Sequence, residues 1–167
     1  MAGPRKATAE IIEPPPGRVA PVGHGGGFKL DEAALARAET VVRSMQCDYL
    51  VWARDEIGAL EKLYREVRAT PANRGGIIRE IANAAHDVKG NGGTFGYDLM
   101  TAIGGSLSTF CRAIDGSGAE IGDARLEVIR VHIDAMKMVI DHGLEGDGGE
   151  IGANMVAMLA RACELRR

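Results

Sequence analysis

Residues 84–96 read Ala84-Ala85-His86-Asp87-Val88-Lys89-Gly90-Asn91-Gly92-Gly93-Thr94-Phe95-Gly96, and the fold turns on how they are understood. Upstream, Ile78, Ile81, Ala85 and Val88 recur at spacings of three, four and three, the stripe of an amphipathic helix buried on one side. At about 100° per residue, His86 falls roughly 120° from the centre of that stripe, so its imidazole is predicted to face outward. Lys89 and Gly90 follow one turn later beside it. If the helix continues through Gly90, Gly92 and Gly93, those residues cost it roughly 3 kcal/mol relative to alanine. Either something approaches the backbone beside His86, or a neighbouring helix packs hard against this one, or the helix ends there in a glycine cap.

Working outward, Pro71 sets the start of the His86 helix near Ala72 to Arg74. Before it, Leu50, Ala53, Ile57, Leu60, Tyr64 and Val67 alternate by three and four, and an earlier phase runs through Leu35, Ala38, Val42 and Met45 behind a candidate cap at Asp31. The phases slip near Cys47 and Asp48 with no Gly or Pro between 31 and 57, which leaves open one helix or two. After Gly96, Leu99, Ile103, Leu107, Phe110 and Ile114 make the next stripe, closed by Asp115-Gly116-Ser117-Gly118. Leu126, Ile129, Ile133, Met136 and Ile140 follow, widened by Val128, Val131, Ala135 and Val139, so that helix is expected to be covered on two sides. The second cover falls to a last stripe of Ile151, Met155, Met158, Ala162 and Leu165. Short connections predict an all-α, antiparallel up-and-down bundle of four core helices with an additional helix at each end. The core spans about 45–145 and the C-terminal helix about 149–165.

Residues 1–28 hold five prolines and the run Gly23-His24-Gly25-Gly26-Gly27, and are expected to form a flexible arm ahead of a helical domain at 29–167. The 167 residues suit one domain with its own core, and a net charge of −3 gives no footprint for nucleic acid. Three scattered cysteines imply neither a disulfide framework nor a zinc site. Without an apolar leader or a long apolar run, a soluble cytoplasmic protein with no membrane contact is expected. Lys89 to Gly96 lacks the spacing of a phosphate-cradling loop, and Asp115 to Asp123 has Glu120 where a calcium loop needs Gly. His132 and His142 are expected at the surface or core edge, and the methionines of the C-terminal half and Trp52 in packing roles.

The pattern His-x-Val-Lys-Gly-x-x-Gly-x-Phe-Gly from His86 to Gly96 resembles the signature of histidine-containing phosphotransfer (HPt) domains. The resemblance implies that His86 accepts a phosphoryl group, that Lys89 offsets its charge and that Gly90 leaves room for the partner, with Gly93 serving close helix packing. It also implies partners: receiver domains of hybrid sensor kinases and response regulators, which supply the Mg²⁺, so this chain needs no metal or cofactor and acts as a carrier rather than an enzyme. Arg79, Asn83, Asp87 and Tyr97 are the exposed residues expected to meet the partner, and Phe95 is expected in the core. The self-sufficient bundle predicts a monomer. The competing expectation is a helical adaptor without phosphoryl chemistry; a kinase dimerisation domain would need an ATPase domain, for which the residues after His86 are too few.

Overall fold

The computed structural model describes residues 32–117 and 120–166, and within these every regular element is helical, with no strand. The arm, His24 and the Asp31 cap lie outside the described residues. Five α-helices follow in order: α1 (Glu32–Ala69), α2 (Arg74–Gly92), α3 (Asp98–Gly116), α4 (Asp123–Asp141) and α5 (Gly149–Glu164). None is long and apolar enough to cross a membrane.

The open question about 31–69 resolves to one 38-residue helix, about 57 Å long at 1.5 Å per residue. Only its C-terminal half joins the core, through Tyr49, Ala53, Ile57, Leu60 and Val67. Among the described residues no separate helix precedes α1; Leu35, Val41, Val42 and Met45, on its first half, are each about half exposed. With no Gly or Pro between 31 and 57, backbone hydrogen bonding simply runs on past the end of the core.

α1 packs on α2 and α4, α2 on α3, and α3 on α4, while α5 lies on α3 and α4. The stripes expected on α2, α3 and α4 are all buried, from Ile78 and Ile81 through Leu107 and Phe110 to Met136 and Ile140. At one end Arg74 ties three segments together, its guanidinium donating to the carbonyls of Val67 (3.4 Å) and Ile121 (2.6 Å). At the other, the α4–α5 loop is stapled to the α2–α3 turn: Gly146 N–H donates to Gly96 O (2.6 Å) and Leu99 N–H to Gly146 O (2.8 Å).

α5 departs from its expected phase. Its buried face is Gly152, Leu159 and Cys163, whereas Ile151, Met158 and Leu165 are 60% or more exposed. The reason is at Gly152, where an added Cβ would collide with the Asp147 carbonyl and press on Leu99; the helix docks on its smallest side. Met138 and Met158, expected in the core, instead join Ile151 and Met155 along an open apolar groove of about 440 Å³ between α4 and α5.

Candidate functional site

The outer face of α2 carries the candidate site. Arg79, Asn83, His86, Asp87, Lys89 and Gly90 are all exposed there, at offsets from His86 of −7, −3, +1, +3 and +4 that keep them on one side of the helix. The buried stripe of Ile78, Ile81, Ala85 and Val88 fixes the phase, since turning His86 inward would expose all four. Among the described residues nothing hydrogen-bonds the imidazole, and no carboxylate pairs with the Lys89 ammonium. Arg79 is less free, with Asp115 of α3 at 3.6 Å.

The charge around His86 is lopsided. Toward α1 stand Asp87, Asp55 and Glu56; partial burial first, then Asp87 and Asp55, hold the Glu56 carboxyl above its usual range. Toward α3 stands Lys89, whose stem lies over Gly105: a Cβ added at Gly105 would touch its Cδ at 3.5 Å and its Cε at 3.7 Å. A dianion arriving at the imidazole therefore meets repulsion on one side and a cation on the other.

α2 runs through Gly90 and ends at Gly92 with Gly93 as its C-cap, so the helix-end reading of these glycines holds in part. They do different jobs. A Cβ on Gly90 would meet nothing within 4 Å. A Cβ on Gly92 would stand 2.7 Å from Thr101 Oγ1, 2.8 Å from Tyr97 O and 2.9 Å from Thr101 N, so close helix packing belongs to Gly92. Gly93, which was expected to serve that purpose, would bring its Cβ only to ordinary contact with the side chains of Asp98 (3.4 Å) and Thr101 (3.5 Å).

Tyr97 is a second correction. It is only 2% exposed, so it cannot meet a partner at the surface. Gly96 adopts a left-handed backbone (φ 81°) and Tyr97 N–H returns to Gly92 O (2.9 Å), which swings the ring inward to stack on Tyr49 at 5.0 Å. Phe95, expected in the core, is half-buried on the same Tyr49 ring.

Thr101, Gly104 and Gly105 of α3 were not anticipated. The Thr101 hydroxyl accepts from Gly93 N–H (2.8 Å) and donates to Lys89 O (3.1 Å), which clamps the last turn of α2. A Cβ on Gly104 would stand 2.8 Å from Ala85 O and 2.9 Å from Lys89 N, so the two backbones touch directly beneath the site. Their signal in the sequence was the run of small residues Thr101, Gly104, Gly105 and Ser108 at helical spacing.

A separate polar cluster lies inside. His132, expected near the surface, is fully buried. Its Nδ1–H donates to Val128 O (2.7 Å), which leaves Nε2 to accept from Ser106 Oγ–H (2.9 Å), with Cys163 Sγ 3.8 Å away. Burial pushes its pKa down, only partly offset by the Val128 bond. The unfolded chain then binds a proton near pH 6.5 that the folded chain refuses, so stability falls as pH drops below that value. Urea melts at pH 7.5 and 5.5 are expected to lose up to about 1.4 kcal/mol per unit below pH 6.5, and His132→Gln to flatten that slope.

Among protein-family models, curated proteins and solved structures, none matches this chain.

Proposed function

We propose that this chain is a histidine phosphotransfer protein, with its helices arranged as the antiparallel up-and-down bundle of HPt domains and α5 added. His86 takes the phosphoryl group from a receiver-domain aspartate and hands it to another. A ring nitrogen attacks phosphorus in line; the N–P bond forms as the aspartyl O–P bond breaks and the carboxylate leaves. The receiver partner holds the divalent metal. Lys89 offsets the charge brought to the imidazole, and the acidic side of α1 turns the phosphoryl group toward it.

The observation that supports this most is Gly90. One turn on from an unengaged imidazole, in the last turn of α2, it costs up to about 1 kcal/mol and leaves open space that nothing in the described chain fills. A surface that approaches from outside gives that space a use. The adaptor alternative has no such use for an unengaged histidine next to a lysine.

The test is transfer of labelled phosphate from phosphorylated receiver domains. The expected adduct is labile in acid and stable in base, as phosphohistidine is. An acid-stable adduct, or none from any receiver domain that binds the protein, overturns the proposal. Lys89→Ala is expected to slow transfer about 3- to 10-fold, within the range of one charge-assisted contact discounted for exposure. The deficit should shrink as ionic strength rises, which stopped-flow rates in a salt series would check.

A further inference from the structure

The first half of α1 overhangs the core with an apolar seam. Leu35, Ala38, Val42, Met45, Tyr49 and Trp52 alternate by three and four, a heptad with Leu35, Val42 and Tyr49 at a and Ala38, Met45 and Trp52 at d. In a phase shifted by one residue, Ala53, Ile57, Leu60 and Val67 seat the second half of α1 against its own bundle. From Tyr49 onward this chain covers the seam itself, through Phe95 and Tyr97 stacked on the Tyr49 ring at 5.0 Å. Before Tyr49, Leu35, Val42 and Met45 stand 45%, 55% and 47% exposed, and Val41 at g widens the strip at 58%. About 24 Å of helix thus keeps the period of a coiled coil without a partner helix in the described chain.

We propose that the overhang pairs in parallel with the same segment of a second copy. A heptad seam is self-complementary under a two-fold axis, and each a or d residue meets its own counterpart. Valine at the central a position favours two strands in parallel. The flanks agree with that direction: parallel pairing sets Ala34 at g against Glu39 at e of the other copy, whereas antiparallel pairing brings Glu39 toward Glu39. The overlap is short, below the size of a standard stable interface, so the dimer dissociates on the order of 10 μM. This replaces the monomer expected from the sequence and is independent of the phosphotransfer proposal.

Sedimentation equilibrium of the full chain, from about 1 μM to about 500 μM, tests it. The mass is expected to rise from 17.7 kDa toward twice that value. Val42→Asp, which lies outside the core, is expected to weaken association at least about 100-fold while leaving the thermal midpoint unchanged. Met158→Asp, in the α4–α5 groove, is expected to leave association as it was. In a Cys47→Ala background, Met45→Cys should oxidise to a covalent dimer, since parallel pairing places the two Met45 positions face to face. A wild type that stays at the monomer mass throughout overturns the proposal, whether the arm or another protein covers the seam. So does a dimer that Met158→Asp breaks and Val42→Asp does not.

Discussion

His86→Gln is expected to lose phosphotransfer by at least about 1,000-fold, down to the background of the assay. Glutamine keeps polarity and comparable length, but its amide offers no lone pair that can form a stable N–P bond. The side chain is exposed and makes no hydrogen bond among the described residues, so the substitution should leave stability within about 0.5 kcal/mol. That separation matters: a chemical defect without a folding defect isolates the nucleophile. Receiver binding should survive, because Lys89, Gly90 and the rest of the face are untouched. Labelling that persists undiminished in the variant would mean that another residue accepts the phosphate, and the assignment of His86 would fall.

The second large effect separates two glycines that look equivalent in the sequence. Gly104→Val is expected to destabilise the fold by about 3 kcal/mol or more, since its Cβ meets Ala85 O and Lys89 N, both backbone atoms that move only if α2 and α3 part. Gly90→Ala should do the reverse, adding about 0.5–1 kcal/mol of helix propensity and raising the melting point by about 3 °C, because no atom lies in its way. Gly90→Leu keeps most of that gain yet is expected to slow transfer about 10-fold or more, by holding the partner off the helix. Calorimetry beside the transfer assay reads both quantities. A Gly90→Leu protein that transfers as fast as wild type would remove the main support for the proposed function.

The helices were legible because burial is periodic. Ile78, Ile81, Ala85 and Val88 announced the phase of α2, and the exposed position of His86 followed from the same arithmetic. What resisted was set by tertiary contact rather than period. Tyr97 has the composition of a surface contact, and only the left-handed turn at Gly96 sends it inward. The stripe on α5 was apolar in the expected rhythm, yet the helix docked on Gly152 and Cys163, since small residues allow the closest approach. A single histidine such as His132 carries no sign of whether Ser106 and a carbonyl await it. Gly92 and Gly93 differ by one position, and the distinction appears only once α3 is in place.

Those glycines also bear on how the sequence can drift. Position 92 faces the backbone of Tyr97 and Thr101 as well as the Thr101 hydroxyl, so it can change only with a shift of the whole helix pair. Position 93 is held by its N–H alone, in ordinary helical geometry, and any residue except proline supplies that donor. Among the described residues nothing stands within 4 Å of a Cβ at position 90, so under the proposed function the constraint on it is the partner's approach. Three neighbouring glycines thus stand under three different constraints: one set by α3, one nearly absent, and one that the proposed function places outside the chain.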